Sequence, residues 1–135
     1  MILAVVLGLG GGCAHTQKKI DLEGLSKTVE SFHKRVRWKD YQLASRYVVP
    51  ERREDFADAL REHEDERNLD VSDYELEGVE VSPEGDRARV MSRMRWTRLP
   101  SPSMKDERVT SDFVYREGQW LLEKQRGGPF DGALP

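Results

Sequence analysis

A chain of 135 residues, 37% apolar and 35% charged, is long enough for one hydrophobic core plus a leader or tail and too short for two ordinary domains. Its formal charge of −3 gives no reason to expect a nucleic-acid partner, because phosphate binding needs clustered positive charge. Acidic and basic residues are interleaved, as on a solvated, salt-bridged surface.

In chain order, residues 1–12 (MILAVVLGLGGG) form an apolar leader that ends in glycines, and Cys13 follows at once. An apolar run of about eight residues is too short to span a bilayer and fits the core of a signal peptide. The small residues, the cysteine and the abrupt polar switch at Ala14-His15-Thr16 resemble a bacterial lipobox. Gly10 stands where that pattern usually has Leu, with Leu9 one place further back. The resemblance implies cleavage before Cys13 and lipidation of its sulfur, and so a membrane-anchored protein of the bacterial envelope. Ala14, in place of Asp, implies sorting to the outer membrane, facing the periplasm. The bland alternative is a free thiol near the N-terminus. Cys13 is the only cysteine, so its lipidation would exclude disulfides, zinc thiolate sites and cysteine nucleophiles.

Residues 14–24 lack periodicity and read as a tether, which together with Cys13 makes a segment 13–24. The domain is expected over 25–128 and a short tail over 129–135. Leu25, Val29, Phe32 and Val36 form one helical stripe, with Ser26 as a candidate N-cap. Trp38-Lys39-Asp40 breaks that helix, and Asp40 caps a short second one lined by Tyr41, Ala44, Tyr47 and Val48. Pro50 stops it. A third helix over 51–67 places Phe56, Ala59, Leu60 and His63 on its apolar side, with Asn68 as terminator.

From Val71 the period changes to two. Tyr74 and Leu76 share a face, as do Val79 and Val81, and the phase slips at Gly78, which predicts a β-bulge. After a turn at residues 82–86, Ala88, Val90, Ser92, Met94 and Trp96 face inward while Arg87, Arg89, Met91, Arg93 and Arg95 face outward. Glu75, Glu77 and Glu80 on the preceding strand are expected to pair with those arginines. Two prolines make residues 99–103 a loop. Val109 to Arg116 and Gln119 to Gln125 then flank Glu117-Gly118, a pair suited to a tight hairpin, with Phe113, Tyr115 and Trp120 as an aromatic wall. The expected class is α+β: N-terminal helices packed in a curved, four-stranded antiparallel sheet, a cone-shaped half-barrel.

Two motifs carry a resemblance. Phe32 stands eight residues before Asp40-Tyr41-Gln42-Leu43-Ala44, and Tyr115-Arg116-Glu117-Gly118-Gln119-Trp120 closes the sheet. Together they resemble the nuclear-transport-factor-two-like family, which includes the SnoaL-like proteins and ketosteroid isomerase, over about Leu25 to Arg126. The resemblance implies the cone and often an apolar pocket within it. It leaves activity open, because one fold hosts many functions. Ketosteroid isomerase uses a helix-one tyrosine as oxyanion donor, and Phe32 stands at the matching position without a hydroxyl. Asp112 alternates outward, so no pair of acids faces the pocket for general acid–base work.

Candidate pocket residues are Tyr47, His63, Trp96 and Tyr115, chosen because each combines an apolar body with a polar handle. His63 on an apolar helix side is more often interior packing than a catalyst. Ser92 or Ser111 beside it would be a nucleophile-like pair only if the helix crosses the sheet at that height. His33 is expected at an exposed helix edge. No residues fall at a metal-ligand spacing, and no pattern calls for a cofactor. The favoured function is a non-catalytic envelope lipoprotein that binds a small apolar ligand or a protein partner, with the membrane engaged through Cys13. A homodimer through the outer sheet face is a further expectation. The alternative is a SnoaL-like small-molecule enzyme: an isomerase, dehydratase or hydrolase.

Overall fold

The computed structural model describes residues 21–135; the leader, Cys13 and most of the tether lie outside the described residues. The first helix, α1 (Leu22–Arg37), starts three residues earlier than its apolar stripe suggests. Asp21, not Ser26, is its cap: the Asp21 carboxylate accepts from the Gly24 N–H at 2.9 Å. The buried stripe is Leu25, Val29, Phe32, His33 and Val36. At Lys39, φ is 60°, which ends the helix, and Asp40 caps α2 (Tyr41–Ala44) as its sequence suggests.

Two 3-10 turns, Ser45–Tyr47 and Pro50–Arg52, lead into α3 (Arg53–Glu62). The expected single helix over 51–67 is broken, because Glu64 takes a left-handed φ of 53° before α4 (Asp65–Asn68). The break leaves His63 beyond the end of α3.

The sheet is a four-stranded antiparallel meander: β1 (Leu69–Val81), β2 (Arg87–Arg98), β3 (Lys105–Arg116) and β4 (Gln119–Arg126). The α+β class and curved half-barrel expected from the sequence are therefore what the chain forms. The register of β1 on β2 slips between Leu76 and Gly78, at the glycine where the phase breaks, and again between Val71 and Asp73. Glu117 (φ 48°) and Gly118 (φ 83°) both take positive φ in the β3–β4 turn, the requirement of a hairpin whose twist matches its strands.

The concave face of β2 is buried as its alternation predicts, at Ala88, Val90, Ser92, Met94 and Trp96. Phe32 from α1, Phe56 from α3 and Phe130 from the C-terminal segment fill the cone, with ring centroids 5.2 to 6.2 Å apart. Residues 129–135 are thus not a free tail: Phe130 and Leu134 are among the most buried side chains, and Gln125 N–H donates to the Leu134 carbonyl at 2.8 Å. The chain can turn back there because Gly128 has φ 78° and any Cβ on it would lie 2.7 Å from a Val109 methyl. A buried fork locks the turn. Arg98 donates to both oxygens of Asp65 at 2.8 Å and to the Pro129 carbonyl at 2.9 Å.

Candidate functional site

The sequence candidates do not converge. Tyr47 is half-buried against the edge of the core. Trp96 is buried, its ring held by Arg98 at 5.4 Å and Lys105 at 5.2 Å, with Nε1 donating to Glu107 at 3.3 Å. Tyr115 shares the phase of Phe113 but is 36% exposed one residue from the end of β3, its ring tilted against Trp120 with centroids 5.1 Å apart. His63 is exposed, Nδ1 donating to the Ala59 carbonyl at 3.0 Å. A nucleophile-like pair of His63 with either serine is not formed. Ser111 accepts from Gln125 at 2.9 Å, and the buried Ser92 hydroxyl meets no hydrogen-bond partner among the described residues.

The interior of the cone is packed with aromatic and aliphatic side chains. Its only buried polar groups on the sheet side are Ser92, Ser111 and Gln125 among the described residues. None of the three is a carboxylate or an imidazole. The buried carboxylate, Asp65, is committed to Arg98.

The open ground lies along the seam between α1 and β1. Leu22, Leu25, Val29, Tyr74, Leu76 and Val79 enclose an apolar groove of about 270 Å³ at its N-terminal end. Glu30 and Tyr74 also border a second groove of about 540 Å³, which continues past His33, Trp38 and Asp70. Among the described residues seven large apolar side chains are exposed; Leu22, Leu76 and Val79 cluster at the first groove, and Trp38 borders the second. Scattered exposed apolar residues need no explanation, but a contiguous set of them marks a contact surface. A larger cleft of about 680 Å³ among α2, α3 and α4 is lined by Tyr41, Ala57 and Leu60 together with polar and charged side chains, and none of its lining residues is among the exposed large apolar ones.

Strand register explains why the groove is apolar. Tyr74, Leu76 and Val79 lie directly opposite Met94, Ser92 and Val90, so they sit on the concave face with the core. The described part of the helix that covers this face elsewhere begins at Leu22, and among the described residues nothing covers the far half of β1. Leu76 is 50% and Val79 41% exposed for that reason.

His33 forms the wall at the centre of the seam, buried rather than exposed. Four residues after Val29, it belongs to the same stripe, and its ring stacks on Tyr74 with centroids 4.0 Å apart and planes at 13°. Nδ1 donates to the Val29 carbonyl at 2.8 Å, which fixes the tautomer and leaves Nε2 an acceptor without a partner among the described residues. Burial draws the imidazole down to about 4, against the opposing pull of that backbone bond, so His33 is neutral at physiological pH. Burial also pushes the Tyr74 hydroxyl up. A neutral imidazole under a protonated tyrosine offers surface and hydrogen-bond capacity but no charged acid or base. No group of three or more potential metal ligands occurs among the described residues, and no described helix is long and apolar enough to cross a membrane.

No family model and no curated protein matches the chain. Solved structures do. A SEC-C motif containing protein from Rhodopseudomonas palustris superposes with a TM-score of 0.58 at 20% identity, over 75% of this chain and 76% of that one. A protein from Xanthomonas campestris pv. campestris, proposed to be a polyketide cyclase, superposes with a TM-score of 0.54 at 15% identity, over 73% of this chain and 86% of the other. At such identities the likeness shows the fold alone.

The outer face of the sheet differs in detail from its expected pairing. Arg89 bonds Asp112 at 3.0 Å, and Arg93 and Arg95 reach Asp106 at 2.9 and 3.4 Å, so the β2 arginines turn mainly to β3. From β1, Glu77 alone forms an ion pair on this face among the described residues, with Arg108 at 3.0 Å. Met91 lies across from Gly78, where an added Cβ would come within 3.2 Å of its methyl. The bulge glycine makes room for that methionine.

Proposed function

We propose that this protein is a non-catalytic binding domain, held at the bacterial envelope by a lipid on Cys13, that docks an apolar ligand or protein partner in the α1–β1 seam. The observation that carries the reading is the contrast between a cone filled by Phe32, Phe56, Phe130 and Leu134 and an apolar groove beside it that is open among the described residues. An enzyme of this shape needs a proton carrier whose state is set inside an accessible pocket. Inside the cone the buried polar groups among the described residues are two serines and a glutamine, and His33 in the seam bonds the Val29 carbonyl rather than a carboxylate. The arrangement favours binding over a SnoaL-like reaction, although the nuclear-transport-factor-two-like resemblance is compatible with either.

Two experiments test the two halves. The fluorescent apolar probe 1-anilinonaphthalene-8-sulfonate should brighten on the folded full-length protein and lose most of that signal in Leu76→Asp/Val79→Asp, which should melt normally. Equal brightening of both proteins would remove the groove from the account. For the anchor, Cys13→Ala should move the protein from the membrane fraction to the soluble one. Several acyl chains on one residue hold firmly, and their loss leaves nothing comparable. A variant that stays as tightly membrane-bound as the parent would end the lipoprotein reading.

A further inference from the structure

The strand that floors the groove is also the open edge of the sheet. β1 ends the strand order, and among the described residues no backbone hydrogen bond reaches residues 70–81 from the side away from β2. Alternate N–H and C=O groups along it therefore point to solvent, which is a template for another strand.

Its side chains specify what could pair there. β1 reads Leu69-Asp70-Val71-Ser72-Asp73-Tyr74-Glu75-Leu76-Glu77-Gly78-Val79-Glu80-Val81: five acids and no base. Asp73, Glu75 and Glu80 lie opposite Arg95, Arg93 and Arg89 in the register and so face the convex side. Those arginines are taken by β3, and the three acids form no ion pair within 4 Å among the described residues. On the concave side the same strand offers Tyr74, Leu76 and Val79. One edge thus presents unpaired carboxylates above and uncovered apolar groups below.

A second copy of the chain is a poor occupant. Two β1 edges laid side by side would set acid against acid, and the two bulges would break the ladder further. The acid-on-acid repulsion is what defends the edge against itself: the bulges interrupt the ladder for any partner, whereas a strand of opposite charge meets no such repulsion.

We infer that β1 receives an extended polypeptide segment in which basic and apolar residues alternate. It would pair along the free edge, with its Lys or Arg over Asp73, Glu75 and Glu80 and its apolar residues on the concave side, completing the floor between Leu76, Val79 and Leu22. Backbone hydrogen bonds supply affinity and the alternation supplies selectivity, as in other strand-addition complexes. The inference rests on the seam being a binding surface and adds the chemistry of the occupant.

The test uses the full-length protein carrying Cys13→Ala and three synthetic peptides of about eight residues, the length of an ordinary strand. One alternates Lys with Val, one alternates Glu with Val, and one places all its Lys before all its Val. The alternating Lys peptide should bind at least about tenfold more tightly than either other peptide, a gap of about 1.4 kcal/mol. It should also slow amide hydrogen exchange within Asp73–Val81. Asp73→Asn/Glu75→Gln/Glu80→Gln, which touches no buried group, should lower that affinity about tenfold without lowering the melting temperature. Equal binding of the block peptide, binding that leaves β1 exchange unchanged, or no binding of the alternating Lys peptide would each overturn the inference. If the peptide fails while the fluorescent probe still requires Leu76 and Val79, the groove stands and only its strand-like occupant falls. If the probe fails too, both fall.

Discussion

The two edges of this sheet are treated in opposite ways. At β4 the edge is closed: Val48 bridges Leu122, Val49 N–H donates to the Leu122 carbonyl, Arg52 donates to the Glu123 carbonyl, and the Leu134 carbonyl takes the Gln125 N–H. At β1 the edge is open, and the apolar side chains beneath it are exposed. Val48 and Val49, between the two 3-10 turns that help seal β4, and Phe130 and Leu134 of the C-terminal segment are all buried in the core. Stability lies on the closed side and contact capacity on the open side. A buried apolar residue there costs a cavity when removed, whereas Leu76 or Val79 has little packing to lose.

The strongest way to break that contrast is to attack the closed side. Phe130→Ala should cost about 3–5 kcal/mol, and Arg98→Ala, which strands the Asp65 carboxylate in the interior, a similar amount. Urea denaturation of the two variants checks this. If either retains parental stability, the C-terminal segment is not part of the core in the manner described.

Next in size is the pH response of His33. Its folded-state pKa of about 4 lies below the ordinary 6.5. The unfolded chain therefore binds the proton more readily, and stability falls as pH drops from about 6.5 towards 4. The full loss is about 3 kcal/mol. Denaturation midpoints measured across that window should decline in the parent and decline less in His33→Gln. Parallel slopes in both proteins would show that His33 is not the group responsible.

The smallest effects separate the sides most cleanly. Ser92→Ala removes a buried hydroxyl that has no hydrogen-bond partner among the described residues, and should be neutral or stabilising by up to about 1 kcal/mol. Leu76→Asp should fall within about 0.5 kcal/mol of the parent, as exposed positions do. Thermal melts of both decide it: a large loss at Leu76 would mean that β1 is packed more like β4 than the structure shows.

Much of this architecture was legible in local pattern. Strict alternation placed all five inward residues of β2, the slip in phase at Gly78 marked a bulge, and Glu117-Gly118 marked the hairpin. Trp38-Lys39-Asp40 marked the break after α1. Period alone could not say where a helix stops or which part of a face is covered. His63 continued the spacing of Phe56 and Leu60, but the left-handed turn at Glu64 ends α3 first. Tyr115 kept the phase of Phe113 and ran past the core. His33, four residues from Val29, carried a readable signal, since it extends the stripe that includes Val36. Phe130 and Leu134, also four apart, carried another, masked by the glycines before them. The seam was the least legible feature. Leu76 and Val79 have the correct phase for burial, and local pattern could not show that the described helix leaves them exposed.

The central claim is that apolar contact occurs in the seam and not inside the cone. An amide chemical-shift map of the full-length Cys13→Ala protein, titrated with 1-anilinonaphthalene-8-sulfonate, tests it most directly. The account expects the largest shifts at Leu22, Tyr74, Leu76 and Val79, with Ser92, Ser111 and Phe113 unmoved. Shifts concentrated at those three interior positions would show that the cone opens to ligand, and would contradict it.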